Sequence, residues 1–306
     1  MAEFNYDASS KRSNRYPKIR KLGACSPAGD SMTPFVWNGK LMRMERFRGE
    51  DRNKHGVIIR DCETGEHICQ LADNTTFQAA YVEGDTAYVY GVDKEHRGTI
   101  RIFSSKDLIN WDERILHSHE GYRHYNTYLT KGPDGYVLLM ESDMPKEIVG
   151  DHPFTYVFAT SPDMVHWTDM DPSTAYPLDR YSGGPWMRYS EGWYYIIGCV
   201  ELPCLRYTNY IYRTKDFKDW YVGNYNPLLL PSEEDHIVSP NAHDLGEQEL
   251  EWVKHGFVIS TTDIDMCDYN GKVYINYGCG DQGSFYYMAE AEADGTVAEF
   301  LKSYFE

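Results

Sequence analysis

Hydrophobic and polar positions along the chain fall into one local figure that recurs: an apolar or aromatic run, a two-residue turn, and a second such run. It appears five times, with runs 35–37 and 41–44 about Asn38-Gly39, 79–82 and 87–90 about Glu83-Gly84, 128–130 and 136–140 about Asp134-Gly135, 186–189 and 193–197 about Glu191-Gly192, and 264–269 and 273–277 about Asn270-Gly271. Glycine accepts the positive φ that a tight hairpin turn demands, so each figure predicts two antiparallel strands. The turn glycines lie 45, 51, 57 and 79 residues apart, the spacing of propeller blades.

A second marker follows the first in three of the units. Ser105-Lys-Asp-Leu-Ile-Asn-Trp111, Ser161-Pro-Asp-Met-Val-His-Trp167 and Thr214-Lys-Asp-Phe-Lys-Asp-Trp220 place their tryptophans 27, 32 and 28 residues after the turn glycine. The two outer units have Thr64-Gly65 and Asp294-Gly295 in the corresponding place, 26 and 24 residues on, and these predict further hairpins. Two hairpins per unit make four strands. The expected fold is all-β, a five-bladed β-propeller with four antiparallel strands per blade, formed by residues 22–306 as one domain after a basic arm, residues 1–21.

Charge narrows the partners. The arm carries six cations against Glu3 and Asp7, a local +4, so that of the formal −17 the remaining residues hold −21. A body so acidic lacks the basic stripe that binding to nucleic acid requires. The arm is expected to pack on the acidic body of its own or a neighbouring subunit, a route to a homo-oligomer. No stretch reaches the roughly 18 apolar residues of a membrane span. Seven scattered cysteines lack zinc-site spacing and read as buried thiols in a reducing compartment. The expected location is therefore the cytoplasm, with a mature secreted form as the alternative.

Over residues 30–295 the repeated hairpins and the Ser-x-Asp-x-x-x-Trp turns resemble the five-bladed glycosidase propellers, glycoside hydrolase families 43, 32 and 117. The resemblance implies a carbohydrate substrate bound in a funnel at one end of the axis, with acids supplied by several innermost strands. It also implies an Asp-Pro on the first innermost strand and a Glu-Gly-Pro on the fourth, whereas this chain reads Thr33-Pro34 and Gly183-Gly184-Pro185. Both expected carboxylates are missing, and any catalysis needs another set.

Candidates for that set come from strand geometry. The first strand of a blade begins, and the second ends, on the same rim. The starts contribute Asp30, Asp73, His124, Asn126, Ser182, Thr262 and Asp263, and the ends Glu45, Asp93, Glu141, Glu201 and Asp281. Asp263 and Asp265 stand at i and i+2 of an otherwise apolar innermost strand, where alternation turns both to one face. Close carboxylates in a dry setting split their pKa values, as acid/base work at a glycosidic bond requires. A metal site or a structural anchor is the competing reading of this pair. Glu141, closing an apolar run, is the next acid. His243, in the long marker-free segment 223–256, would be the proton donor by likeness to family 117, which uses a histidine outside the usual acid position; packing within the loop is the other reading.

The catalytic candidates are thus Asp263, Asp265, Glu141 and His243, and the substrate-binding candidates Asp30, Asn126, Trp186, Glu201 and Asp281, with Tyr181 as a further rim aromatic. No cofactor is expected beyond a divalent cation such as calcium in a structural or active-site role. The expected function is hydrolysis of a small or terminal glycoside. The alternatives are a catalytically silent carbohydrate-binding propeller, or a lyase, phosphorylase or isomerase acting on carbohydrate. For phosphorolysis, Arg43, Arg180 and Arg188 are the available cations.

Overall fold

The computed structural model describes residues 17–27, 29, 31–46 and 56–306. Its first strand, β1 (Arg20–Ser26), is followed by the first blade, β2 (Met32–Trp37), β3 (Lys40–Arg46), β4 (Val57–Asp61) and β5 (His67–Leu71). The second blade is β6 (Thr75–Glu83), β7 (Thr86–Asp93), β8 (Thr99–Ser105) and β9 (Asp112–Ser118). The third is β10 (Arg123–Gly132), β11 (Gly135–Met144), β12 (Thr155–Ser161) and β13 (Thr168–Asp169). The fourth is β14 (Gly183–Ser190), β15 (Trp193–Leu202), β16 (Arg206–Thr214) and β17 (Trp220–Val222). The fifth takes β18 (Ser260–Tyr269), β19 (Lys272–Gly280) and β20 (Tyr286–Asp294), and β1 supplies its outermost strand. All pairings within the blades are antiparallel, and β2, β6, β10, β14 and β18 pack in sequence around the axis, β18 closing on β2.

The five turn glycines sit at the first hairpin of each blade, as the pattern predicts. The Ser-x-Asp-x-x-x-Trp segments join the third and fourth strands. In the third blade, Asp163 Oδ1 accepts the Val165 and His166 N–H groups at 2.9 and 2.8 Å. Met164 takes φ +61° between them, and Leu108 and Phe217 repeat that conformation at the matching sites of their blades. The turn is fixed by side chain-to-backbone bonds, which explains why Asp recurs.

The fifth blade departs from expectation. Asp294-Gly295 makes no hairpin; it leads into helix α3 (Val297–Ser303), which follows α1 (Lys146–Val149) and α2 (Glu247–His255) in the chain. The fourth strand comes instead from the N-terminal side, with Arg20 opposite Glu292 and Ser26 opposite Met288. The end of the basic segment is thus part of the propeller: Lys21 Nζ donates to Asp235 Oδ2 at 2.6 Å. Residues 1–16 lie outside the described residues.

Segment 223–256 holds a 3-10 turn, Glu233–His236, and α2. It lies along β1, where Val238 bridges to Ala24 and Ser239 N donates to the Ala24 carbonyl. A buried charge network pins it at the junction of the fifth and first blades. Arg43 Nε donates to Glu45 Oε1 at 2.5 Å and its Nη1 lies 3.6 Å from Glu290 Oε2; Arg60 Nε donates to Glu45 Oε1 at 3.1 Å and its Nη2 to Asp244 at 2.5 Å. Ser239 and Asn241 donate to Glu290 from the segment itself.

Candidate active site at the axial rim

Four of the five innermost strands carry a β-bulge at the same level, just inside the rim where they begin. Pairing skips one residue between Thr76 and Ala79, His124 and Thr127, Gly183 and Trp186, and Thr262 and Asp265. Phe77, Gly184 and Asp263 occupy the same place in their bulges, with φ of +55°, +49° and +50°. Such a conformation is costly for Phe and only tolerated by Asp, so tertiary contacts hold it there. The bulge, rather than the alternation the sequence suggests, brings both Asp263 and Asp265 to the axial cleft, whose lining also includes Phe77, Asn126, Tyr128 and Gly184.

Glu141 reaches the same place from the second strand of the third blade. It is 3% exposed. Its Oε2 accepts Asn126 Nδ2 at 2.8 Å and the Gly184 N–H at 2.9 Å. Burial pushes its carboxyl up to about 8, against the pull of these two donors, and the neighbouring Asp263 and Asp143 raise it further. Asp263 also approaches Gly184, its Oδ1 lying closer than van der Waals contact allows to the point a Cβ on Gly184 would occupy. End to end, with about 2.5 Å between N and Cβ of one residue, these contacts hold the nearest oxygens of the two carboxyls within about 8 Å of each other. Any side chain at position 184 would enter the Asp263 carboxyl.

The two absent family acids acquire a physical explanation. Around the point a Cβ on Gly183 would occupy lie the Tyr181 hydroxyl at 2.9 Å and Glu141 Oε1 at 3.4 Å, so a phenol, and a carboxyl from the third blade, border the space left empty on the fourth. At Thr33, the hydroxyl donates to Asp265 Oδ2 at 2.8 Å, which brings a carboxyl from the fifth blade to the first. Burial raises the Asp265 carboxyl well above the usual range, and the Thr33 and Tyr128 hydroxyls pull it back only in part. Asp263 accepts the Tyr286 hydroxyl at 2.7 Å, and Tyr286 in turn meets Thr262 at 3.0 Å.

Above these acids an arc of aromatic rings follows the rim: Phe77, Tyr125, Phe154, Tyr181 and Tyr207, with successive centroids 5.5, 4.8, 5.5 and 5.2 Å apart. Arg97 lies over Tyr125 at 4.5 Å and Asp143 accepts the Tyr125 hydroxyl at 3.1 Å. Of these five the sequence singled out Tyr181 alone. Tyr286, Phe154 and Tyr207 stand within one residue of the starts of third strands, and extending the rim argument to those starts would have found them.

Other predicted positions fall elsewhere. His243 is not brought to the acids: its ring lies 2.6 Å from the Cβ position of Gly65, in the turn joining β4 and β5 at the opposite end of the blade, and its Nε2 faces the Cys62 carbonyl at 3.3 Å. Trp186 is 1% exposed and packs by Tyr128 in the core, because the bulge before it returns the strand to regular alternation. Asp281 accepts the N–H groups of Gly283, Ser284 and Phe285, and so builds its own turn. Glu201 is exposed at the end of β15, opposite Tyr207. Asn126 does reach the site, as the donor to Glu141. Asp30 lies outside the described residues. Arg43 is sealed in the buried network, while Arg180 pairs with Asp179 and Arg188 with Asp268. The acids of the first two blades are also engaged, Glu45 in the network and Asp93 with Arg101.

This fold and rim define a five-bladed propeller of the architecture found in glycoside hydrolases of families 43, 62 and 32. Among solved structures the chain is similar to BT0996 in its RGII complex, with 13% identity, a TM-score of 0.62, and coverage of 95% of this protein and 97% of that one. It is likewise similar to the α-L-arabinofuranosidase PaAbf62A from Podospora anserina in complex with cellotriose (8% identity, TM-score 0.60, 92% and 98% covered) and to a thermostable family-43 glycoside hydrolase (10%, 0.60, 92% and 94%). At these identities the likeness is one of fold. No protein-family model matches the chain, and no curated protein matches it in sequence.

Proposed function

We propose that the chain is a glycoside hydrolase whose general acid is Glu141 and whose second carboxyl is Asp263. The observation that carries this reading is the buried Glu141 carboxyl, held over Gly183-Gly184 within about 8 Å of Asp263. A carboxyl raised to about 8 keeps its proton at neutral pH and can pass it to the departing glycosidic oxygen. Asp263 then acts from the other side of the anomeric carbon, on water or on the carbon itself. Asp265, below them, accepts the Thr33 hydroxyl and holds the first strand in place. The names of the structural neighbours, among them an arabinofuranosidase and a family-43 hydrolase, favour the same reaction class. In this reading a terminal sugar sits at the two acids and the rest of the substrate lies on the aromatic arc.

The test is a panel of aryl glycosides and plant or algal oligosaccharides. Asp263→Asn lowers kcat by about 10²-fold or more on every substrate cleaved. Glu141→Gln does so on oligosaccharides but loses much less on aryl glycosides whose phenol departs without a proton. Cleavage of no substrate, or equal losses on both substrate types for Glu141→Gln, goes against the assignment.

A further inference from the structure

Between the outer edges of the second and third blades, away from the axis, two imidazoles face one carboxylate. His117 lies on β9, His119 just beyond it, and Asp169 on β13, the outermost strand of the next blade. His117 Nε2 is 2.8 Å from Asp169 Oδ1, and His119 Nε2 is 3.4 Å from Asp169 Oδ2. One donor atom from each residue lies within 4.8 Å of the others. We propose that His117, His119 and Asp169 bind a zinc-class divalent ion that clamps these two blades together.

The spacing of the three groups suits an ion as well as hydrogen bonds. The 2.8 Å contact is a good His–Asp bond, but 3.4 Å is long for one. It is close to the ligand-to-ligand edge, about 3.3 Å, of a tetrahedron with bonds of about 2.0–2.1 Å, and His117 and Asp169 would part by about 0.5 Å to reach the same edge. Two imidazole nitrogens and a carboxylate oxygen are a zinc donor set, and they leave a fourth position for solvent, which Asp169 meets at the surface. The rings are already placed: Tyr122 stacks on His119 at 3.4 Å and Trp167 flanks His117 at 6.2 Å, so little ordering opposes binding.

The experiment is titration of the chelator-treated full chain with Zn²⁺ alone. The expected result is one ion per chain at micromolar affinity or tighter, with a Tm that climbs with Zn²⁺ concentration. His119→Gln and Asp169→Asn each weaken binding at least tenfold and leave the metal-free Tm nearly unchanged, while Asp263→Asn binds as the parent does. Absence of saturable one-to-one binding overturns the proposal, as does equal affinity in both ligand variants. Should a variant fail to fold, Co²⁺ on the parent chain decides: strong visible bands of a four- or five-coordinate nitrogen–oxygen site support it, and a weak octahedral spectrum refutes it.

Discussion

Glu141 is held in a state that opposes folding. An unfolded Glu gives up its proton near 4.5, whereas the folded site keeps it to about 8, so between those values the folded chain binds the extra proton and stability falls as pH rises. The deficit is absent below the unfolded value and complete above about 8. Glu141→Gln removes the titration, and its Tm gain over the parent is expected to be negligible at about pH 4.5 and several degrees at about pH 8.5, in melts run across that range. Under the proposed assignment of Glu141 as general acid, a pH–rate profile is expected to show kcat declining around pH 8. Sequence made Glu141 and the two aspartates visible, since acids at the ends of apolar runs stand out. It hid their relation, because strict alternation cannot show a bulge, and nothing local reveals that a carboxyl from one blade borders the space above a glycine in the next.

The strand hairpins were the most legible elements, because their signals are local: a glycine where φ must be positive, and apolar runs on either side. The Ser-x-Asp-x-x-x-Trp turns are equally local, and Asp163 shows why they tolerate little change. Its carboxylate serves two backbone N–H groups and the His166 ring, and these bonds hold its pKa well below the usual range. Asp163→Ala is predicted to lower the denaturant midpoint while activity at the distant rim stays at the parent level, a split that parallel unfolding and rate measurements would show. The Asp294-Gly295 turn misled for the opposite reason. The fourth strand of its blade pairs Arg20 with Glu292, and no pattern local to either segment carries that contact.

On the scale of the whole molecule, the long segment that looked functional serves as a fastening. Its polar residues converge with Arg43, Glu45, Arg60 and Glu290 where the last blade meets the first. Replacing Arg43 by Met leaves the buried Glu290 carboxylate without its cation and Glu45 with Arg60 alone, and the expected loss is about 3–5 kcal/mol in equilibrium unfolding. His243, which the likeness to family 117 put forward as a donor, packs at this fastening rather than at the chemistry.

The placement of β1 in the fifth blade has a consequence for how the chain is made. Its hydrogen-bonding partner, β20, leaves the ribosome last among the described strands, whereas β1 is synthesised first. At about 5–20 residues per second the early segment waits roughly 15–50 s without the strand it pairs with. Through that interval four blades can form in order from their own neighbours, but the ring cannot shut. A nascent chain therefore carries an open strand edge for most of its synthesis, the condition under which edge-to-edge association with other chains is fastest. Four of the seven residues of β1 are buried once the ring closes, so their burial waits until the last blade has been translated.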